Sequence, residues 1–230
     1  MGNIKSLKYM LDILTSRLLT LKELEFYPKT ILDIGAYHGD WSTLVHGIWP
    51  DSKIFMVEAN ADQRPTLAKI TWTEGFEIAL LGDKKRRQVG YYATTLPVTT
   101  GNSIFREQTH YFDNCEIRNL PMTTLDSVVK KRNLKNINLI KIDVQGSELN
   151  VIKGGKNTVA NAQFILLETQ NLEYNLGAPD TAQVLIAMQD LGFQLYDITE
   201  IHHLPTGEMF EIDLLFVKQN SPFIKRGTLV

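Results

Sequence analysis

Four carboxylates stand at the ends of short apolar runs that favour β-structure: Asp33, Glu58, Asp143 and Glu168. Open α/β sheets bind ligands in the crevice outside the carboxyl ends of their strands. A carboxylate in such a crevice can bind ribose hydroxyls, orient an acceptor hydroxyl, take its proton or stabilise a positive charge. These positions therefore predict one ligand site shared by several strands.

The run at residues 31–42, ILDIGAYHGDWS, predicts a strand, a glycine-containing turn and a helix. Gly35 permits a tight turn with close backbone approach, and Gly39 does the same at the start of the helix. The dinucleotide fingerprint GxGxxG would need glycine at Tyr37 and Asp40. The pyrophosphate cradle of a nicotinamide enzyme is therefore absent, and the spacing favours a ligand without phosphates.

The next two strand ends supply further residues for the same ligand. Glu58 follows Gly35 by 23 positions, where a second parallel strand would deliver a carboxylate beside the first turn. There it could accept hydrogen bonds from both hydroxyls of an adenosine ribose, with Ala59 beside it. Ala79 and Leu80, at the end of a third strand, would form a small apolar wall for the adenine.

Residues 139–148, LIKIDVQGSE, form a second dense motif: a strand, a turn at Gly146 and the start of an amphipathic helix. Asp143 ends what should be a central strand and is expected to face the site. It could orient an acceptor hydroxyl, take its proton or stabilise a cationic donor, and the residues do not choose among these roles. Glu148 is either a further acid of the site or a cap of the helix start.

The strand that ends at Glu168 opens onto polar residues. Thr169, Gln170 and Asn171 could bind acceptor hydroxyls. Asp143 and Glu168 could also hold magnesium, but no third ligand follows at a recognisable spacing, so no metal site is predicted.

The histidines and one basic cluster have both functional and structural interpretations. His38 lies inside the first turn and could act as a base near neutral pH, or could be a hydrogen-bonded loop residue. His202 and His203 precede a predicted hairpin turn at 204–207 and are interpreted as structural or rim residues. The cluster KKRR at 84–87 could contact phosphate, but such a run beside Gly-Asp is typical of a solvated turn.

Alternating β-rich and helix-like stretches from Thr30 onward must position these residues. They predict an α/β fold with a mostly parallel sheet and helices on both faces. Near-continuous apolar runs at 54–57, 139–142 and 164–167 indicate strands that are covered on both faces. The predicted strands cover residues 30–34, 53–58, 76–80, 138–143, 164–168, 193–198 and 211–218.

Two regions stand apart from this alternation. Residues 1–28 are expected to contain an amphipathic helix packed on the domain, although a membrane surface or a partner could also take its apolar face. The domain itself is placed at 29–230. It carries a predicted insertion at about 82–120, with a hairpin strand at 88–95 and then a polar loop, over the active face.

The composition limits the protein classes. A chain of 230 residues, 43% of them hydrophobic, can bury one α/β core with little left for a second domain. The net charge of -2 and the pI of about 6.2 give no overall field for nucleic acid or an anionic membrane. The single cysteine, Cys115, excludes an internal disulfide and a CxxC motif, which fits a cytoplasmic protein. No uninterrupted apolar run at the amino terminus is long enough for a signal peptide or a membrane span.

Together these motifs resemble the FkbM family of S-adenosylmethionine-dependent methyltransferases, over about residues 30–198. The likeness is carried by LDIGA at 32–36 with Gly39, VEAN at 57–60, TLD at 124–126 and IKIDVQGSE at 140–148. The segment GNS at 101–103 is similar to a family loop near the acceptor. The family usually has glutamate at the position of Gln145, which leaves Asp143 and Glu148 as the acids to test.

The resemblance implies a single-domain, Rossmann-like methyltransferase fold of seven strands with an antiparallel last strand. It also implies O-methylation of a hydroxyl on a sugar, glycolipid or secondary metabolite, with S-adenosylmethionine as cofactor. Because the sulfonium carries its own leaving group, alignment in a water-poor site and a modest base would suffice. The expected cofactor-binding residues are Asp33, Gly35, Ala36, Gly39, Glu58, Ala59, Ala79, Leu80 and Asp143, and the catalytic candidates are Asp143, Glu148, Glu168 and His38.

Three alternatives stay open. A nicotinamide-dependent oxidoreductase could use the same architecture, although the glycine spacing disfavours it. A catalytically degenerate module that only binds a cofactor or a partner would follow if Gln145 marks lost chemistry. A nucleic-acid methyltransferase would need a basic stripe with interleaved aromatics, which the chain lacks outside 84–87. The expected partner is a small-molecule or glycan acceptor, and the sequence is compatible with a homo-oligomer.

Overall fold

A computed structural model describes residues 13–96 and 100–224 of the chain. Its strands are β1 (Thr30–Ile34), β2 (Lys53–Glu58), β3 (Gly75–Ile78), β4 (Leu80–Leu81), β5 (Arg86–Ala93), β6 (Glu116–Thr123), β7 (Ile137–Ile142), β8 (Phe164–Gln170), β9 (Phe193–His203) and β10 (Met209–Lys218). Seven of them form one sheet in the order β3-β2-β1-β7-β8-β10-β9. β1, β2, β3, β7 and β8 pair in parallel, whereas β10 is antiparallel to β8 and β9. The predicted α/β fold, a mostly parallel sheet with an antiparallel last strand, is confirmed.

Helices cover both faces of this sheet, as the sequence predicts. Because side chains alternate along a strand, Leu32 of β1 points into one core and its neighbour Ile31 into the other. The helices are α1 (Ile13–Glu23), α2 (Asp40–Ile48), α3 (Arg64–Leu67), α4 (Leu125–Arg132), α5 (Glu148–Gly154), α6 (Lys156–Asn161) and α7 (Thr181–Asp190). Residues of α1 and α2 pack in the core of Ile31, and residues of α4 to α7 pack in the core of Leu32.

The strand predicted at 76–80 is wrong in one respect, because the structure divides it. β3 stays in the main sheet as the edge neighbour of β2. After Ala79 the chain leaves that sheet, and Leu80 and Leu81 of β4 pair with Met122 and Thr123 of β6. Neighbouring residues of the chain therefore belong to two different sheets.

The predicted insertion contains a second sheet, in the order β4-β6-β5. The hairpin strand predicted at 88–95 corresponds to β5, but the polar loop predicted after it is wrong at 116–123, where β6 pairs with β5. β6 buries only Met122, so the apolar alternation that would announce a strand is weak. The basic cluster is divided: Lys84 lies in a bend, and β5 begins at Arg86, which forms an ion pair with Asp83 at 2.7 Å.

Only part of the amino-terminal helix predicted within residues 1–28 belongs to the described chain. α1 packs on the sheet through Leu18 and Leu21, which are fully buried, and residues 1–12 lie outside the described residues. The domain boundaries given above stay a prediction. Within 13–96 and 100–224, none of the helices combines the length and the apolar character that crossing a bilayer requires.

Candidate active site

A cavity of about 450 Å³ opens at the carboxyl ends of β1, β2, β7 and β8. This volume lies in the usual range for small-molecule sites, roughly 300–1,000 Å³. Asp33, Gly39 and Glu148 do not line it. The other residues of the predicted site all do: Gly35, Ala36, His38, Glu58, Ala59, Ala79, Leu80, Asp143 and Glu168.

The turn after β1 is held against its neighbouring strands by backbone contacts. Gly35 has a φ of 79°, in the left-handed region that favours glycine, and its N–H donates to the Val57 carbonyl at 2.9 Å. The Ala36 N–H donates to the same carbonyl at 3.1 Å, and the Asp143 N–H donates to the carbonyl of Ile34 at 3.0 Å. The turn is thus fixed between β2 and β7 with its backbone at the cavity.

Asp33 and Gly39 lie behind the residues that line the cavity and do not reach it. Asp33 is fully buried, and its Oδ2 accepts a hydrogen bond from Ser42 Oγ at 2.6 Å. The turn after β1 bends away from Asp33, so its carboxylate faces α2 and Lys141 rather than the cavity. Gly39 has a φ of 81°, in the left-handed region that favours glycine, and so shapes the backbone at the start of α2.

Glu58, at the end of β2, is the buried carboxylate of the cavity wall and is only 7% exposed. Its Oε2 accepts from the Tyr37 N–H at 2.8 Å, and its Oε1 accepts from the Asn60 N–H at 2.7 Å. Burial raises the pKa of Glu58, although both backbone donors act in the opposite direction. Each oxygen still has a lone pair for a ligand hydroxyl.

Asp143 and Lys141 form an ion pair at the end of β7. Lys141 Nζ lies 2.8 Å from Asp143 Oδ2 and 3.9 Å from Asp33 Oδ1. Burial disfavours the charged forms of both groups, but their mutual attraction outweighs it: the pKa of Lys141 is raised and that of Asp143 is lowered. Asp143 is therefore ionised at neutral pH, with a fixed orientation.

Gln145 bridges two carboxylates of the site. Its Nε2 donates to Asp143 Oδ1 at 3.0 Å and also to Glu168 Oε1. Its backbone has a φ of 56°, and its carbonyl accepts from Ser103 Oγ at 2.7 Å. Through Ser103, the loop at 101–103 is anchored on this turn.

Glu148 stabilises the same turn from below the cavity. Its Oε1 accepts from the N–H groups of Val144 at 2.9 Å and Gly146 at 3.2 Å. Burial raises the pKa of Glu148 to about 7. The Glu148 carboxyl is thus directed at the backbone of the turn that precedes α5 and not at the cavity.

His38 lies on the cavity wall and stacks on Tyr37, with 3.7 Å between the ring centroids. This position is compatible with both interpretations of His38. Ala59, Ala79 and Leu80 form the apolar part of the wall, as the sequence predicts for an adenine site.

Residues 33–195 match the methyltransferase FkbM domain. The chain belongs to this family. The predicted family resemblance is thereby confirmed, and the motif at 140–148 contributes the Asp143, Gln145 and Glu148 contacts described above. A search of curated proteins gives no significant match.

Solved structures similar to this member of the FkbM family share its fold at low sequence identity. The methyltransferase FkbM from Methylobacillus flagellatus KT is 14% identical, with a TM-score of 0.51; the alignment covers 82% of this chain and 43% of that one. Magnesium protoporphyrin IX methyltransferase from Synechocystis PCC 6803, solved with bound SAM, is 9% identical, with a TM-score of 0.50 and coverages of 92% and 79%. M. capricolum TrmK, solved with S-adenosylhomocysteine, is 10% identical, with a TM-score of 0.50 and coverages of 91% and 69%. This chain therefore spans less than half the length of the first of these proteins.

The cavity also contains residues that were not predicted as site residues. They come from the hairpin of β9 and β10 and from β7: Glu200, His202, Glu211, Asp213 and Lys141. Glu200 and His202 alternate along β9, as do Glu211 and Asp213 along β10, so each pair shares one face of the sheet. This alternation of polar residues along β9 and β10 is the only feature of the sequence that could have predicted their place in the cavity. The interpretation of His202 as a rim residue agrees with its place in the cavity wall.

The polar residues after Glu168 are used internally rather than for an acceptor. Thr169 Oγ1 donates to the Ile212 carbonyl at 3.1 Å, and Gln170 Nε2 donates to the Ala178 carbonyl at 2.9 Å. Asn171 Nδ2 donates to the Met209 carbonyl at 3.1 Å. The predicted contacts of these three side chains with acceptor hydroxyls are wrong, because none of the three lines the cavity.

In the described part of the chain, no group of three or more His, Cys, Asp or Glu side chains has a geometry that could hold a metal ion. Asp143 and Glu168 are instead joined by the amide of Gln145.

Proposed function

We propose that this FkbM methyltransferase uses S-adenosylmethionine to methylate a hydroxyl oxygen of a sugar, a glycolipid or a secondary metabolite. The observation that carries the cofactor assignment is Glu58, a buried carboxylate on the cavity wall beside the turn at Gly35. A carboxylate at the end of the second strand suits the two hydroxyls of a ribose. The two similar structures that contain SAM or S-adenosylhomocysteine support the same cofactor.

The residues of the cavity fit this cofactor. Gly35 leaves room for a ligand to approach the backbone, and Ala79 with Leu80 offers an apolar surface for adenine. Asp143 supplies a negative charge that suits a sulfonium. A dinucleotide fits less well, because Glu58 and Asp143 would repel a pyrophosphate and the turn lacks the glycines of a phosphate cradle.

When bound, S-adenosylmethionine supplies the methyl group: its carbon–sulfur bond breaks as the new oxygen–carbon bond forms, and the sulfur keeps the electron pair. Asp143 orients the acceptor hydroxyl and accepts its proton. Lys141 at 2.8 Å and Gln145 at 3.0 Å fix this carboxylate. A carboxylate with a low pKa suffices, because the hydroxyl becomes strongly acidic as its oxygen forms a third bond, to the methyl carbon, and gains positive charge.

The acceptor side of the cavity carries Glu168, Glu211 and Asp213. Carboxylates accept hydrogen bonds from sugar hydroxyls and repel phosphates. This charge favours a small-molecule or glycan acceptor over a nucleic acid.

Calorimetric titration with S-adenosylhomocysteine, repeated with NAD, tests the cofactor without knowledge of the acceptor. We expect micromolar binding of the first and none of the second. An acceptor screen among glycans, read as release of S-adenosylhomocysteine, would follow. Binding of NAD alone, or of neither compound, would contradict the proposal.

A further inference from the structure

One tyrosine of the second sheet, Tyr91 on β5, reaches the cavity. Side chains alternate along a strand, so Tyr91 shares a face of β5 with Val89 and Ala93. On that face it packs in one apolar cluster with Leu80 and Ala59. Tyr91, Leu80 and Ala59 also line the cavity together. A residue of the inserted sheet therefore stands against the wall proposed for adenine.

The Tyr91 side chain is almost completely buried, yet its hydroxyl has no partner in the described protein. The residue is only 3% exposed. Within 13–96 and 100–224, its hydroxyl forms no hydrogen bond. The hydroxyl is not enclosed either, because every unpartnered polar side-chain atom that is closed to solvent in these ranges belongs to another residue. The small exposed part of Tyr91 thus includes the hydroxyl, on a side chain that lines the cavity.

A buried phenol without a partner is energetically unfavourable. The hydroxyl of a buried tyrosine usually has a hydrogen-bond partner, because its removal from water without one costs free energy. Phenylalanine would fill the same apolar cluster without that cost. Packing alone therefore does not account for the hydroxyl of Tyr91, whereas a ligand in the cavity that accepts a hydrogen bond does.

Glu58 is the charged group that acts most strongly on the Tyr91 hydroxyl. Burial raises the pKa of Tyr91, and the negative charge of Glu58 raises it further. The phenol is therefore uncharged at neutral pH and can donate a hydrogen bond. Glu58 does not accept it, since its oxygens accept from the backbone N–H groups of Tyr37 and Asn60. A ligand that Glu58 binds would thus lie close to an unused donor.

The relative position of Glu58 and Tyr91 is fixed by β6. Tyr91 pairs in register with Arg118 of that strand. Arg118 Nη1 lies 2.8 Å from Asp62 Oδ2 and 3.3 Å from Asn60 Oδ1. Asn60 in turn donates its backbone N–H to Glu58 Oε1 at 2.7 Å. The residues that follow β2 are therefore tied to the strand beside Tyr91, and both groups are held in place without a ligand.

From this geometry we infer that the Tyr91 hydroxyl donates a hydrogen bond to N3 of the adenine of S-adenosylmethionine, so that the second sheet supplies part of the cofactor site. The inference rests on the proposed function, because it adds a contact to the cofactor half of the same cavity. N3 is the adenine acceptor on the edge where the base joins the ribose. A donor beside both the carboxylate proposed for the ribose and the apolar wall proposed for the base stands at this junction.

A cycle of one substitution and one ligand change tests the inference by calorimetry. The ligands are S-adenosylhomocysteine and its 3-deaza analogue, in which a C–H group replaces N3, and the variant is Tyr91→Phe. We expect the unaltered protein to bind the analogue about two- to tenfold more weakly, the loss of one hydrogen bond between uncharged groups. Tyr91→Phe should bind S-adenosylhomocysteine more weakly by a similar factor and should no longer distinguish the two ligands.

Tyr92→Phe is the matched control. It makes the same substitution at the next residue of β5, which points to the opposite face and does not line the cavity. This variant should keep both the affinity for S-adenosylhomocysteine and the difference between the two ligands. The 7-deaza analogue, which retains N3, should lose affinity in Tyr91→Phe as S-adenosylhomocysteine does. Without ligand, Tyr91→Phe should melt at the temperature of the unaltered protein or above it, because no hydrogen bond within the protein is lost.

Several results would overturn the inference while S-adenosylhomocysteine still binds. An equal loss of affinity for S-adenosylhomocysteine and the 3-deaza analogue in Tyr91→Phe would mean that the hydroxyl does not contact N3. Unchanged affinity in that variant, equal binding of the two ligands by the unaltered protein, or a clearly lower melting temperature of Tyr91→Phe would also contradict it. Failure of S-adenosylhomocysteine to bind the unaltered protein would instead contradict the proposed function.

Discussion

Gly35 packs directly on the backbone of Asp143: a Cβ built on Gly35 would lie 1.7 Å from the Asp143 carbonyl oxygen. This contact joins the turn after β1 to the turn after β7. We expect Gly35→Ala to lower the free energy of unfolding by about 3 kcal/mol or more, since backbone overlap adds to a strained φ. Urea unfolding measures this loss, and calorimetry should show that binding of S-adenosylhomocysteine is lost with it.

The matched control for this prediction is Gly192→Ala. Gly192 has nearly the same φ, 80°, but a Cβ there would meet no atom within 4 Å. In that variant the free energy of unfolding should fall by only about 1–2 kcal/mol, the cost of placing alanine in the left-handed region. Equal losses in the two variants would mean that the contact between Gly35 and Asp143 is not tight.

Glu58→Gln should weaken binding of S-adenosylhomocysteine by about 1.5–3 kcal/mol, because an amide replaces a charged acceptor of hydrogen bonds. The amide NH₂ would also face one of the two backbone N–H groups, of Tyr37 or Asn60, that Glu58 now accepts from. Calorimetry at one temperature and salt concentration measures the change. Glu77→Gln is the control, since Glu77 pairs with Lys131 and Arg132 outside the cavity. Unchanged affinity in Glu58→Gln would remove Glu58 from the cofactor site.

The part of this site that the sequence predicts well is local. Gly35 and Glu58 each follow directly from a strand and its end, because a parallel strand delivers its last residues to one edge of the sheet. The bounds of β1 and β2 were predicted to the residue for the same reason. Asp143 and Glu168 were placed at the cavity by the same rule.

The part that could not be predicted depends on side-chain direction and on pairing between distant strands. Asp33 ends up behind the cavity wall because its carboxylate turns towards α2, where it accepts a hydrogen bond from Ser42. Asp213 lies between Glu168 and Glu200 only because β10 pairs between β8 and β9. No local pattern fixes that register. β6 could not be predicted for a similar reason: it is a strand because it pairs with β4 and β5, and its sequence lacks a clear alternation of apolar and polar residues.

Gln145→Glu restores the residue that the family usually has at this position and tests what Gln145 does in this chain. An ionised glutamate cannot donate, so both hydrogen bonds of Gln145, to Asp143 and Glu168, would be lost. A third negative charge would also be added beside them. We expect a lower melting temperature at pH 8, by several degrees at ~2–4 °C per kcal/mol.

Gln189→Glu is the control for this charge change, because Gln189 is exposed on α7. It makes the same substitution away from the cavity and should leave the melting temperature nearly unchanged. If the two variants melt alike, the amide of Gln145 does not hold the carboxylates together, and the degenerate binding module regains support.

The pH dependence of stability provides a test of Asp213. Its pKa is raised from 3.8 to about 8 in the folded protein, chiefly by burial and then by Asp143. A carboxyl whose folded pKa is raised contributes stability that is complete below the unfolded pKa and is lost as pH rises through the folded pKa. The unaltered protein should therefore lose stability from this group between about pH 4 and pH 8.

Asp213→Asn cannot ionise, so its melting temperature relative to the unaltered protein should rise with pH across that interval. At about pH 8.5 we expect the variant to be the more stable of the two, and at about pH 5 we expect that advantage to shrink or reverse. Differential scanning calorimetry at several pH values gives the comparison, and the exposed Asp190→Asn serves as the control. A constant difference over the whole range would mean that Asp213 ionises in the folded protein as it does in the unfolded chain.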